Sequence, residues 1–354
     1  MQILVTGIAG FIGYHLARAL LDNGHTVIGI DDANAYYTPL LKAARLRELG
    51  CDLPKETTLT PCISSRYGER CIFYRIDCAD RSAMEAVFTH HTFSVIYHLA
   101  AQAGVRYSQE NPWVYAHSNI VGSLQLLECA RHARCPHFIF ASSSSVYGAN
   151  QTTPYQAAAS CEHPLSLYAA TKKSVEMMAH AYSHSYGLAC TGLRFFTVYG
   201  PWGRPDMAPC IFTRKLLAGE PVTLFNYGDM QRDFTYIDDV ISACIALVEH
   251  PAEGCSQWDA YSPDPQRSHA PYRLYNIGNA RPVPLEVFLN TLGDVLGIQP
   301  HWNKGPMPPG DVQVTSADVQ PMQQQFAYQP QTDLFSGLTR MVRWYKDYQC
   351  VIEA

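Results

Sequence analysis

A tyrosine and a lysine four residues apart, Tyr168 and Lys172 in "SLYAATKKSVEMM", form a pair able to do proton chemistry. The stretch reads as a helix, and that spacing sets both side chains on one face, a turn apart. An ammonium near a phenol stabilises the phenolate and lowers the tyrosine pKa. Such a pair can work as a base near neutral pH. Upstream, "FIFASSSSVYG" ends an apolar strand in four serines, Ser142 to Ser145. Those hydroxyls can assist the phenol, donate to an anion, or only cap the strand end and hold water.

A second constellation lies at the start of the chain. Gly7, Gly10 and Gly13 follow the apolar run "MQILVT" and open an apolar-periodic stretch. A turn of this kind needs Gly7 to bend, Gly10 to let backbone N–H groups approach a pyrophosphate, and Gly13 to pack helix on sheet. The helix N-terminus then favours the phosphates. The spacing is GxxGxxG rather than GxGxxG, so the strand–turn–helix context carries the reading. Phe11 and Ile12 complete the expected cofactor loop. Asp31 ends the next apolar run, "TVIGIDD". A carboxylate there accepts hydrogen bonds from the adenosine ribose hydroxyls and repels a 2′-phosphate, which predicts NAD rather than NADP.

The elements that position these groups alternate. "TVIGIDD", "CIFYRID", "FSVIYHLAA" and "HFIFASSSS" read as strands, separated by helical stretches such as "SAMEAVFTHH" and "SNIVGSLQLLECARHA". This predicts an α/β fold: a doubly wound parallel sheet of Rossmann type, with a smaller mixed α/β substrate-binding domain. The expected division is 1–193 for the nucleotide-binding domain, with 235–250 returning to it as a helix, and 194–354 mainly for the second. Residues 51–70 are polar and unperiodic and read as a surface insertion.

Composition bounds the rest. The 354 residues carry a net charge of −5, which argues against general affinity for nucleic acid or anionic lipid. An anionic substrate would need a few placed arginines. Twelve cysteines show no CxxC pair and no metal-type spacing, so no metal is expected, and reduced thiols of a cytoplasmic protein are. The apolar start lacks a basic leader, and no apolar run is long enough to span a bilayer.

The segments "TGIAGFIG", "HLAAQAGV", "SNIVGS", "SSSSVYG", "YAATK" and "LRFFTVYGP" resemble the extended short-chain dehydrogenase/reductases over nearly the full length. The resemblance implies Tyr168, Lys172 and Ser143 as the catalytic set. It implies Asn119 on the active-site helix, Asp77 and Cys78 at the adenine, Leu99, Ala100 and Ala101 along the cofactor, and Phe195 near the nicotinamide. Relatives that eliminate water carry Asp and Glu where this chain has Ser144 and Ser145, and uronate decarboxylases carry a glutamate there. Those serines suit a carboxylate, which accepts hydrogen bonds and donates none.

"RFFTVYGPWGRPDMAP" and "FNYGDMQRDFTYIDD" are similar to the UDP-glucuronate 4-epimerase branch. By that likeness Thr197 and Arg204 face the uronate carboxylate, Phe225 packs on uracil, Arg232 grips the diphosphate and Asp311 binds the uridine ribose. Pro308 stands where neutral-sugar relatives have a phosphate-contacting arginine. The implied activity is reversible C4 epimerisation of UDP-glucuronate through a 4-keto sugar, with tightly held NAD and a homodimeric enzyme. Uronate decarboxylation, epimerisation of neutral UDP-hexoses and a non-catalytic NAD-binding role stand as alternatives.

Overall fold

The strands that carry the cofactor segments are apolar at almost every position, so they must be covered on both faces. In the computed structural model, which describes residues 1–352, they are. In chain order the strands are β1 (Gln2–Thr6), β2 (Thr26–Asp31), β3 (Thr58–Ser64), β4 (Gly68–Arg75), β5 (Val95–His98), β6 (His137–Ser143), β7 (Cys190–Phe195), β8 (Thr197–Tyr199), β9 (Val222–Leu224), β10 (Gln231–Tyr236), β11 (Tyr272–Ile277), β12 (Pro282–Pro284) and β13 (Trp302–Lys304). Eight form one sheet in the order β11-β7-β6-β5-β1-β2-β4-β3. Every neighbouring pair in it is parallel except β3 and β4. Two apolar cores lie on its opposite faces.

Strand order reverses between β1 and β5, which opens a crevice beyond their carboxyl ends. The glycine turn after β1 and the Leu99–Ala101 segment after β5 both border it. The helix Phe11–Asp22 leaves the glycine turn and packs against the helix Ile237–Ala246. The long helix Leu167–Tyr186 starts at Ser166, whose hydroxyl caps the Ala169 N–H at 3.1 Å. It ends on Gly187 at φ 68°, a left-handed position that suits glycine.

Two expectations need correction. The 51–70 segment, read as a surface insertion without elements of its own, does lie at the surface but carries a strand. It forms a hairpin whose first arm, β3, is the edge of the large sheet, with register shifts that twist the edge. Its polarity reflects one-sided exposure. The 194–354 segment also returns β11 to the large sheet, beside β7. The remaining strands make a three-stranded sheet, β12-β10-β8, and a two-stranded one, β13-β9. Buried Asp233 on β10 binds these layers to the rest by accepting the N–H groups of Asn279, Ala280 and Ala317 at 2.6, 3.0 and 2.8 Å. Among the described residues no helix is long and apolar enough to cross a membrane.

The Leu167–Tyr186 helix is fixed to the sheet by a buried ion pair. Glu176 takes Arg194 Nε at 2.7 Å and Nη2 at 2.9 Å, with both side chains fully buried. Removing one charge leaves the other uncompensated, which typically costs about 3–5 kcal/mol. Glu176→Gln is therefore expected to lower unfolding stability by about that amount, read by urea denaturation. A midpoint equal to that of the parent protein would show that the pair does not hold the helix.

Candidate active site

The ends of β1, β2, β4, β5, β6 and β7 and the face of the helix that bears Tyr168 meet in a cavity of about 350 Å³. At one end lies the glycine turn. Gly7 has φ 74°, and a Cβ there would meet the Ala100 backbone nitrogen at 2.8 Å. A Cβ on Gly13 would strike the Gly7 carbonyl oxygen at 2.0 Å, so turn and helix approach as only glycine allows. No side chain caps the first helix, and Gly10, Phe11, Ile12 and Gly13 line the cavity with their backbone. This end of a helix suits a pyrophosphate.

Asp31 lines the same end, accepting N–H groups from Ala9 at 3.1 Å and Ala33 at 2.8 Å. Burial raises its pKa, against the pull of Lys42. Asp77, Cys78, Leu99, Ala100 and Ala101 complete this wall. One Asp77 oxygen holds His117 at 2.7 Å. The spacing, the open helix end and the buried acid together fit a dinucleotide with an unmodified adenosine ribose.

The other end gathers the groups able to do proton chemistry. Tyr168, Lys172, Ser143, Ser144, Ser145, Phe195, Thr197 and Arg204 all line it. Tyr168, Lys172 and Glu176 recur every fourth residue and so share one helix face. Ser143 takes the Ser145 N–H at 3.2 Å and donates its hydroxyl to Ser145 Oγ at 3.2 Å. Ser142 is committed elsewhere, donating to Glu176 at 2.6 Å. All four serines line the cavity, and Ser142 alone of them also anchors the helix through Glu176.

Lys172 behaves differently from the sequence expectation. Its ammonium donates to the Ala141 carbonyl at 2.9 Å, and burial lowers its pKa to about 8. The Tyr168 pKa is raised by burial, and the groups that pull it down are the Ser143 hydroxyl and the Arg204 charge. The spacing placed both side chains on one face, but the end of β6 captures the ammonium.

Arg204 is half-buried and already partnered. Its Nε donates to Asp206 Oδ1 at 3.0 Å, its Nη2 bonds Asp206 Oδ2, and that oxygen also accepts the Tyr36 hydroxyl at 3.0 Å. A guanidinium has two bidentate edges. Asp206 occupies the side edge, and the end edge remains for a second carboxylate. Asp206 and Tyr36 escaped the sequence reading. The acid two residues after Arg204 was a visible signal, and Tyr36 was not.

Four expected residues lie outside the cavity wall. Asn119, expected on the active-site helix, is the first of them. It sits in a π-helical turn, Ala116–Val121, and is buried. Its amide bonds the Gln102 N–H and C=O at 2.8 and 3.0 Å and Thr171 Oγ1 at 2.9 Å. It cross-links the loop after β5 to the Tyr168 helix, and its polar atoms are spent. Phe225, Arg232 and Asp311 cluster together nearby. Arg232 is held by Asp311 at 2.7 Å and by the Gln231 and Gln313 carbonyls. Arg106 covers the Phe225 ring at 4.5 Å and approaches Asp311 at 3.9 Å. Two guanidiniums, one acid and one ring therefore adjoin the cavity beside Val105.

The chain is similar to known proteins along its whole length. Residues 3–278 match the family described as NAD dependent epimerase/dehydratase. Protein CapI of Staphylococcus aureus is 46% identical over 98% of this chain and 99% of its own. UDP-glucuronate 4-epimerase 1 of Arabidopsis thaliana is 43% identical over 98% of this chain and 77% of its own. Among solved structures, the UDP-glucuronic acid 4-epimerase of Bacillus cereus, in complex with UDP-glucuronic acid and NAD, superposes with a TM-score of 0.81. It is 32% identical and covers 98% of this chain and 99% of its own. With a dinucleotide turn, a Tyr–Lys helix face and likeness of this extent, the chain belongs to the NAD-dependent epimerase/dehydratase family.

Proposed function

We propose that this chain interconverts UDP-glucuronate and UDP-galacturonate by inverting C4. The observation that carries the reading is the division of charge along the cavity. Its lining carboxylates, Asp31, Asp32 and Asp77, all sit at the β2 and β4 side. The Tyr168 end offers hydroxyls and the Arg204 guanidinium, with Asp206 already bound to that cation. Elimination of water would need an extra acid and base beside the sugar. A uronate carboxylate instead needs donors and a cation.

The assigned roles follow from these positions. When bound, NAD supplies the acceptor and then the donor of the C4 hydride, so the sugar passes through a 4-keto form. Tyr168 takes the proton of the C4 hydroxyl and returns it to the same oxygen once the configuration at C4 has been inverted. Ser143 holds the phenol oxygen, and Lys172 carries a cation beneath it below about pH 8. Thr197, Ser144, Ser145 and the end edge of Arg204 hold the carboxylate. The 4-keto group is β to that carboxylate, so free rotation would permit loss of CO2. A fixed carboxylate keeps its bond to C5 out of line with the carbonyl π system. Asp31 receives the adenosine ribose, and Phe225, Arg232 and Asp311 receive the uridine diphosphate.

The proposal extends to assembly and place. Val121, Leu124 and Met177 are exposed apolar residues on the helices that bear Asn119 and Tyr168, and they suit a homodimer contact. The twelve free thiols suit a reducing cytoplasm. The cofactor domain comprises 1–193 with the returning 235–250 helix and β11.

The direct test is incubation of the purified protein with UDP-glucuronate and no added NAD, followed by separation of the nucleotide sugars. UDP-galacturonate without CO2 is expected. Appearance of a UDP-pentose with stoichiometric CO2 would make the enzyme a decarboxylase instead. Tyr168→Phe should lower turnover by about 10²- to 10⁴-fold while UDP-glucuronate still binds. Turnover equal to that of the parent would sink the proton-transfer role.

Arg204→Ala should lower kcat/KM for UDP-glucuronate by about 10- to 100-fold, the loss of a charge-assisted fork. Affinity for UDP-glucose, which lacks the carboxylate, should change little in titration calorimetry. Asp206 keeps the Tyr36 hydroxyl in that variant, so the loop retains one tie. Equal losses on both sugars would place Arg204 on the loop or the diphosphate.

A further inference from the structure

The loop that ends in Arg204 is held at three successive carbonyls by two helices that flank the cofactor turn. His15, on the helix Phe11–Asp22, lies 2.9 Å from the Pro201 oxygen through Nε2. Burial lowers its pKa to about 3, so the ring is neutral, and Nε2 must carry the proton because a carbonyl only accepts. Arg45, on the helix Pro39–Glu48, donates Nη2 to the Trp202 oxygen at 2.7 Å and to Gly203 at 3.4 Å. Its Nη1 donates to the Ala9 oxygen, inside the glycine turn, at 2.8 Å and to the Tyr37 hydroxyl at 2.7 Å.

Arg45 is fully buried and, among the described residues, has no carboxylate partner within salt-bridge distance. A buried cation is tolerable only where its donors find well-placed oxygens. Here those oxygens belong to two separate loops, so the charge is satisfied only when both are in place. Its Nε finds no partner. The loop itself is strained: Trp202 sits at φ 63°, a left-handed conformation unfavourable for a bulky side chain. Its ring is wedged against Tyr14, Trp344 and Tyr348 at centroid distances of 5.4, 5.5 and 4.4 Å. The neighbouring tyrosines serve the two arginines in turn. Tyr37 meets Arg45, and Tyr36 meets Asp206 and the face of Arg204.

We infer that Arg45 and His15 are positioning residues that lock the Pro201–Arg204 loop in the conformation presenting Arg204 to the sugar carboxylate, with Arg45 tying that conformation to the cofactor turn. The inference rests on the assignment of Arg204 made above. Neither residue touches the sugar. Their effect is selective: they govern how firmly a carboxylate is held, not how a phenol moves a proton. A loosened Arg204 lets the carboxylate of the 4-keto sugar swing into line. The C5–carboxylate bond then breaks, CO2 leaves, its electron pair enters the C4–C5 enolate, and C5 takes up a proton to give a 4-keto pentose.

The test compares the purified enzyme, with the cofactor it retains, as parent, Arg204→Ala, Arg45→Met, Arg45→Lys and His15→Phe. For each, the Kd ratio of UDP-glucuronate to UDP-glucose and the CO2 released per epimerisation are measured. His15→Phe keeps the ring packing and loses only the donor. Arg45→Met and His15→Phe should each weaken UDP-glucuronate relative to UDP-glucose by roughly 3- to 10-fold and raise the CO2 fraction. Arg45→Lys, which keeps the charge but reaches fewer carbonyls, should fall between. Should Arg45→Met fail to fold, His15→Phe and Arg45→Lys decide the matter. An unchanged Kd ratio and CO2 fraction in the folded variants, with Arg204→Ala still selective, would overturn the inference alone. An unchanged ratio in Arg204→Ala would overturn the carboxylate assignment and the inference with it.

Discussion

The Glu176–Arg194 pair is the constraint on which the catalytic geometry depends. Glu176 stands two turns along the same helix face as Tyr168, with Lys172 between them. Arg194 lies on β7, beside the serine-bearing β6. Locking Glu176 onto Arg194 and Ser142 therefore fixes the rotation of the helix against the sheet. The Lys172 bond to Ala141 then adds a second point on the same strand end. Two points on one face leave little freedom for the phenol one turn further on. An ion pair without exposure is not a cheap source of stability, because both charges lose their water. Its contribution here is directional, since each Glu176 oxygen has a defined donor.

Electrostatics divides the cavity into two chemistries. Carboxylates gather where hydroxyl and amino donors of an adenosine would arrive. Hydroxyls and a guanidinium gather where an acidic sugar would arrive. With net charge −5, the protein as a whole offers no attraction to an anion, and in the proposed function the local Arg204 supplies it. Asp206 does not cancel that role. It holds one edge of a planar cation and so aims the other, which converts a flexible side chain into a preorganised donor.

Preorganisation extends beyond the site. Asn119 spends its amide on aligning Gln102 and Thr171, and Asp233 spends its carboxylate on three backbone N–H groups. Both are buried polar groups whose hydrogen bonds join segments far apart in the chain. Such groups cost desolvation and return geometry. The pattern explains why a polar residue marked by family likeness need not touch the ligand: Asn119 acts through the loop it straightens.

By itself the sequence determined what depends on neighbours along the chain. Glycine spacing, an acid at a strand end, a four-residue Tyr–Lys interval and alternating apolar runs are local patterns with local causes. They were enough for the sheet, the dinucleotide turn, the catalytic helix face and, through likeness to relatives, the substrate class. Tertiary structure alone decided the partners. Arg45 meets Trp202 across 157 residues, and Tyr36 meets Asp206 across 170. β11 returns to a sheet that the chain had left at β7, and the 51–70 segment gains its order only as an edge against β4. Lys172 turned to the Ala141 carbonyl because a strand end stood closer than spacing could tell. A hydrogen bond between distant segments imposes no period on either, so nothing in the order of residues announces it; only the folded chain brings the donor to its acceptor.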